Sequence, residues 1–151
     1  MPMETAAVLS RLQKQCSKAE YCRSDMYRKA LKALEGDAEA AARVVAALVE
    51  ERYVDDARFA SAFAREKAAL QGWGPVKIRF QLRAKGVSEA DIAAGLAEVE
   101  PAAASDKLGR VLAAKARSLE GDPQRKLKLL KFGLSRGYEY DAVEAALKAL
   151  L

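Results

Sequence analysis

Apolar residues recur every three or four positions along most of this chain, which is the spacing of one face of an α-helix. Gly, Asp, Ser and Pro residues interrupt the pattern where helices commonly begin or end. The pattern predicts nine helices and an all-α fold. The first predicted helix runs from Ala6 to about Glu20, with Lys18 to Tyr21 as its frayed end or a bend. The next five run from Arg23 to Leu34, Asp37 to about Glu51, Asp55 to Leu70, over 75–85, and from Ser88 to just before Pro101. The last three run from Ala102 to Leu119, from Asp122–Pro123 to about Gly137, and from there to the last residues.

The segment from Gly72 to Gly86 has sharp boundaries and an ambiguous pattern. Its sequence, GWGPVKIRFQLRAKG, alternates apolar and polar residues, which is typical of an amphipathic strand. Pro75 near its start, Gly86 after its end and the many helix-favouring residues between them indicate a helix instead. A lone strand among helices would also lack a pairing partner. We therefore predict a helix over 75–85.

That helix has two apolar stripes when it is wound at about 100° per residue. One stripe consists of Val76, Phe80 and Ala84, and the other of Ile78 and Leu82. Basic residues separate the two stripes on both sides. We expect the helix to lie wedged between two others, burying both stripes and exposing two thin basic edges.

The last two thirds of the chain repeat with a period of about fifty residues. A shift of 51 residues places segment 86–92 on segment 137–143 and Ile78 on Leu129. The first third fits after a one-residue insertion near Glu35. Such a period is the signature of a repeat array, in which units bury their apolar faces against each other. The predicted repeats are 1–53, 54–100 and 101–151, with a short final helix in the third.

Composition excludes several classes of protein. The chain has 151 residues, of which 51% are hydrophobic, with no His and two Cys, so zinc sites and disulfide frameworks lack ligands and partners. No run of about 18 apolar residues predicts a membrane span, and the charged N-terminal segment does not read as a secretory signal, so we expect a cytoplasmic protein. There is no Walker-type loop and no nucleophile with an adjacent base. We predict no catalytic residues, no metal and no cofactor.

Positive charge follows the repeat, because the second helix of every unit is net basic within a chain of net charge +5. If the units stack, these helices would form a basic track facing an anionic partner. The alternative is that the charges only solvate the surface. The candidate partner- or DNA-binding residues are Lys77, Arg79, Arg83 and Lys85 in the second unit and Arg125, Lys126, Lys128 and Lys131 in the third, with Arg23, Arg28 and Lys32 as second choices.

Aromatic residues are interpreted mainly as structural. Trp73 lies between two predicted helices and is expected to pack over their junction rather than anchor an interface. Tyr53, Phe59 and Phe63 are assigned to the core. Asp55 reads as a helix N-cap rather than as part of a metal or acid–base site.

Two motifs resemble the RecX family of RecA regulators. The first is YVDDARFA at residues 53–60, and the second is the pattern GWGPxxIxxxLxxKGV at residues 72–87. Their order and separation resemble those of the family, and the strong match covers roughly residues 50–100. The flanking units match by length and spacing, and segment 30–36 departs from the family's usual helix ending.

The resemblance implies three tandem three-helix repeats that form a curved, elongated, right-handed type of helical array. It also implies a non-enzymatic protein that binds RecA, typically in the groove of its filament on single-stranded DNA. Separately from the resemblance, we expect a monomer. The implied role is to restrain recombinase, ATPase and coprotease activities in DNA repair and the SOS response. The alternative is a helical module that binds DNA directly without a recombinase target. We expect no aromatic residue to be interleaved with the basic residues, as a base-stacking platform would require, and this counts mildly against that alternative.

Overall fold

The computed structural model describes residues 3–151, and all regular structure within that range is helical. The all-α fold and the position of most helices are confirmed. The helices are α1 (Met3–Cys16), α2 (Arg23–Ala33), α3 (Ala38–Glu50), α4 (Asp56–Ala69), α5 (Pro75–Ala84), α6 (Glu89–Ala97), α7 (Pro101–Ser118), α8 (Arg125–Ser135) and α9 (Tyr140–Leu150).

Side-chain caps fix several helix starts. Asp37, Asp55 and Ser88 each accept a hydrogen bond from the backbone N–H three residues further on. The predicted start of α8 at Asp122 is wrong, because the Asp122 carboxylate accepts from the Gln124 N–H at 2.8 Å and holds a turn ahead of the helix.

Two other predicted limits need correction. The first helix ends at Cys16 and not near Glu20, because the chain turns at Ser17–Lys18 through short-range hydrogen bonds. The bend that the sequence allowed from Lys18 onward is confirmed. The last helix is not short, since α9 has 11 residues and α6 has nine.

The helices group into three three-helix units, α1–α3, α4–α6 and α7–α9, and each has its own hydrophobic core. Phe59 is buried in the second core, and Phe63 packs against it. The assignment of Tyr53 to the core is wrong, since that residue is 37% exposed. Arg52 adopts a positive φ of 63° that redirects the chain after α3, and Val54 occupies the buried position instead.

Helix α5 confirms the helical interpretation of its sequence but corrects its expected packing. Ile78 and Leu82 are buried against the second core, whereas Val76 and Phe80 are 44% and 68% exposed, and Ala84 is exposed as well. Within the second unit, only α4 and α6 pack against α5, and the single stripe of Ile78 and Leu82 faces both of them. The expectation that both stripes are buried is therefore wrong.

The second helices of the three units follow one another head to tail. At the start of α5, the Gly74 and Val76 N–H groups donate to the carbonyls of Arg136 and Gly137, beyond the end of α8, at 2.8 and 2.9 Å. At the start of α2, the Ser24 hydroxyl donates to the Lys85 carbonyl, at the end of α5, at 2.6 Å. Each junction brings the positive end of one helix dipole to the negative end of the next, which is favourable.

The molecule is elongated because the first and third units meet the second unit and not each other. Within residues 3–151, no hydrogen bond or ion pair joins the first unit to the third. The accessible surface is 9204 Å², whereas a compact protein of 16.4 kDa exposes about 7,500 Å². Across the described part of the chain, no helix is long and apolar enough to cross a lipid bilayer.

Candidate partner-binding surface

Two of the four candidate cations of the second unit are held by carboxylates of the same chain. The Arg83 guanidinium forms a bidentate pair with Glu89, with Nε at 2.5 Å and Nη2 at 3.2 Å from its carboxylate oxygens. The Lys85 ammonium lies 3.0 Å from the Asp25 carboxylate and joins the second unit to the first. These pairs neutralise much of the charge that both residues would offer a partner.

The titration of the carboxylates reflects these contacts. The hydrogen bond from Arg83 lowers the pKa of Glu89. Burial by itself raises the pKa of Asp25, but hydrogen bonds from Lys85 and from the Cys22 N–H outweigh burial and bring that pKa below its ordinary value. Both groups are therefore charged at neutral pH.

The other two cations of α5 are unpaired. Arg79 makes no ion pair with any residue in 3–151. The Lys77 ammonium lies over the Trp73 ring, 4.5 Å from its centre, and Lys67 lies 5.1 Å from the same ring. Trp73 packs edge-on against Phe63 at 6.1 Å, so it covers the junction of α4 and α5 as predicted.

The candidates of the third unit divide in the same way. The Arg125 guanidinium donates to the Ala116 carbonyl at 3.1 and 3.2 Å and so caps the end of α7. The Lys128 ammonium lies 2.6 Å from the Asp122 carboxylate and lowers the pKa of that group. Lys126 and Lys131 are exposed, with no ion pair among the described residues.

The second-choice residues of the first unit lie at the far end of the row of second helices. Arg23 and Lys32 are exposed. Arg28 is exposed as well, and its Nη2 lies 3.7 Å from an Asp25 oxygen. This contact is too long and too solvated to neutralise Arg28 strongly.

The structure thus brings the basic helices into one row but leaves fewer available charges than the sequence indicated. Among the described residues, four candidate cations of the second and third units have neither a carboxylate nor a backbone carbonyl as partner: Lys77, Arg79, Lys126 and Lys131. No group of three or more His, Cys, Asp or Glu side chains within 3–151 is arranged to hold a metal ion.

Sequence reasoning missed Phe80, which lies among the cations of α5 and is 68% exposed. The expectation that no aromatic lies among the basic residues is therefore wrong. A signal was present in the sequence. In a three-helix unit, the other two helices pack against one side of a given helix. When that helix has two opposite apolar stripes, only one stripe is buried within the unit, and the other faces outward.

Comparisons with known proteins point to one family. A family model of the second three-helix domain of RecX matches residues 55–96. Proteins named "Regulatory protein RecX" from Clostridium tetani and Chromohalobacter salexigens are 30% and 33% identical to the chain over 113 and 106 residues. These alignments cover 72% and 70% of this chain, and 51% and 68% of the respective relatives. A relative of the same name from Xanthomonas citri is 40% identical over 82 residues, 54% of this chain and 49% of that protein.

The chain spans only part of several of these relatives. The matches to the proteins from Mycolicibacterium smegmatis and Halorhodospira halophila, also named "Regulatory protein RecX", cover 63% and 65% of their lengths, and about half of the Clostridium tetani protein is matched.

Solved structures show the same fold. A crystal structure of a regulatory protein RecX superposes with a TM-score of 0.85 at 23% identity, covering 96% of this chain and 72% of that one. The structure of RecX from Lactobacillus salivarius gives a TM-score of 0.78 at 16% identity, covering 97% and 96%. The arrangement of three three-helix units is thus shared with RecX structures.

Proposed function

This chain belongs to the RecX family, and from that premise we propose that it binds RecA and RecA filaments on single-stranded DNA. In this proposal it is a non-catalytic cytoplasmic regulator that acts without a cofactor. Its binding mainly inhibits the recombinase, ATPase and coprotease activities of RecA during DNA repair.

The observation that carries the proposal is the head-to-tail row of basic helices α8, α5 and α2. A recombinase filament on DNA is a long anionic object with a helical groove. An elongated protein with positive charge along one row of helices is suited to follow such a groove. Long-range attraction would accelerate encounter, and short-range contacts would then fix the register.

Unpaired cations are the candidates for those short-range contacts. Arg79 can form a bidentate contact with a carboxylate or a phosphate, while Lys126 and Lys131 neutralise charge with less directional demand. Arg83, Lys85 and Lys128 already have intramolecular partners, so we assign them a secondary role in binding.

The proposal is tested by the single-strand-dependent ATPase of RecA, titrated with this protein. We expect inhibition at well below one copy per RecA, because a regulator that acts on the filament affects many subunits at once. A parallel titration of bare single-stranded DNA over a salt series measures direct DNA binding.

The outcomes separate the two functions. Inhibition only at concentrations that saturate the DNA, with an affinity for bare strands that falls steeply with salt, would indicate direct DNA binding. An ATPase unchanged at every ratio would contradict regulation of RecA.

A further inference from the structure

One side of α5 carries an apolar ridge that residues 3–151 leave largely exposed. We define the α5 ridge as Val76, Phe80 and Ala84, which lie one helical turn apart and span about 12 Å along the axis. All three are exposed, Phe80 to 68%. A ring exposed to this extent at the centre of a helix, with apolar neighbours on both sides, is typical of a binding surface.

Cations border the ridge on both sides. Lys77 lies three residues before Phe80, and Arg79 lies three residues after Val76, so these two cations are neighbours of the ridge on the helix surface. Arg83, three residues after Phe80, is paired with Glu89 and offers less charge. Helix α5 contains no acidic residue. An apolar centre with a basic border is complementary to an apolar groove with an acidic rim.

Neighbouring elements leave the ridge open. Helices α4 and α6 pack on the opposite side of α5, where Ile78 and Leu82 are buried. The third unit reaches only the beginning of α5, through Gly74, Val76 and Lys77. Phe80 and Ala84 lie beyond that contact.

We propose that the α5 ridge inserts into an apolar groove rimmed by carboxylates on the recombinase subunit, with Phe80 as the anchor. This inference rests on the proposed function and adds its contact surface. The mode is that of an amphipathic helix in a groove, where residues one turn apart fill successive pockets. Large aromatic side chains at the centre of such a surface contribute most of the binding energy.

The composition of the surface favours a protein over DNA as the occupant. A base-stacking platform uses a flat ring and gains nothing from Val76 or Ala84. The Glu89 carboxylate stands beside Arg83 at the border of the ridge and would repel a phosphate backbone. On a protein, the same carboxylate can discriminate between partners.

The test compares Phe80→Ala with Leu70→Ala. Leu70 follows α4, is 76% exposed and lies off the ridge, so its variant removes a similarly exposed apolar side chain of the same unit. Binding is measured by fluorescence anisotropy of filaments assembled by RecA on labelled oligo-dT with a non-hydrolysable ATP analogue. We expect Phe80→Ala to weaken binding roughly 10- to 30-fold and Leu70→Ala by less than about twofold.

Three further measurements test this interpretation. Phe80→Leu keeps an apolar anchor of smaller size, and we expect it to recover most of the lost affinity. Because Phe80 is mostly exposed, helical circular dichroism and the thermal midpoint should be unchanged in both Phe80 variants. The loss in Phe80→Ala should persist at high salt, since apolar burial is not screened.

Each remaining outcome overturns the inference in a different way. Wild-type affinity of Phe80→Ala for the filament would remove the ridge from the interface and leave the proposed function intact. An equal loss on bare oligo-dT would assign Phe80 to base stacking. A wild-type dimer that Phe80→Ala dissociates would make a second copy the occupant, and failure of the wild-type protein to bind filaments would overturn the proposed function as well.

Discussion

At the scale of single residues, Gly137 combines a left-handed backbone conformation with a close approach of another helix. Its φ is +93°, and a Cβ there would overlap the Lys77 Cβ and lie 2.8 Å from the Lys77 backbone nitrogen. Gly86 is the equivalent residue of the second unit, with a φ of +76° and no atom within 4 Å of the place where a Cβ would lie. Glycine is thus required at Gly86 only by the backbone conformation, whereas at Gly137 it is required both by the conformation and by the close approach of Lys77.

This pair gives a controlled prediction about stability. Gly86→Ala should lower the free energy of unfolding by about 1–2 kcal/mol, the strain of a left-handed alanine. Gly137→Ala should lower the free energy of unfolding by about 1–3 kcal/mol more than Gly86→Ala does, because the added Cβ is overpacked against Lys77. Urea denaturation followed by circular dichroism measures both. Equal losses in the two variants would show that the close approach at Gly137 carries no cost.

At the scale of elements, α5 shows how one helix distributes its side chains among different tasks. Ile78 and Leu82 build the core, the α5 ridge faces outward, and the cations differ in availability. Arg83 is engaged by Glu89, and Arg79 has no carboxylate partner in the described chain. Their equal chemistry and opposite availability permit a direct comparison.

We predict that Arg79→Gln weakens inhibition of the RecA ATPase more than Arg83→Gln does. Loss of an interfacial arginine typically costs more than 1 kcal/mol, so the concentration for half-inhibition should rise by about fivefold or more. Arg83→Gln should change it by less than about twofold, because its guanidinium is satisfied within the chain. Removing the Arg83–Glu89 pair altogether, by Arg83→Gln with Glu89→Gln, serves as the control for local charge. The reverse ranking of the two single variants would contradict this division.

At the scale of the whole molecule, three small cores are joined by narrow, mostly polar junctions. Units of about fifty residues are marginal alone and gain stability from their neighbours. The first junction combines Cys22, buried in the second core, with the Ser24 hydroxyl bond and the Lys85–Asp25 ion pair. Because this ion pair includes a carboxylate of lowered pKa, the junction should be sensitive to acid.

Asp25→Asn should therefore destabilise the protein in a pH-dependent manner. The pKa of Asp25 is lower in the folded protein than its ordinary value of 3.8. The stabilisation that the Asp25 carboxylate gives the folded protein is therefore fully present above pH 3.8 and is lost as pH falls through the folded pKa. We expect the free energy of unfolding of the variant to be about 1–2 kcal/mol lower than that of the wild type at about pH 7. At about pH 3, this difference in the free energy of unfolding should be smaller. Urea denaturation at several pH values measures both.

Asp122→Asn is the matched control, because Asp122 also has a lowered pKa but pairs with Lys128 inside one unit. It should produce a smaller loss than Asp25→Asn. A loss in Asp25→Asn that is the same at neutral and acidic pH would show that the charge of Asp25 does not hold the junction.

The sequence by itself determined the local structure and the family. Helix spacing, the caps Asp37, Asp55 and Ser88, and the Pro75 start of α5 act over a few residues, so they can be recognised without knowing the fold. The motifs at 53–60 and 72–87 were likewise sufficient for the family, which the comparisons confirm.

Tertiary structure alone decided which side chains remain available to a partner. Lys85 pairs with Asp25, 60 residues away, and helix α5 buries one apolar stripe because only α4 and α6 lie against it. Charge neutralisation and burial depend on contacts between distant parts of the chain, and periodicity carries no record of them. That is why the basic residues could be listed from the sequence, whereas it took the packed structure to show which of them have no ion partner among the described residues.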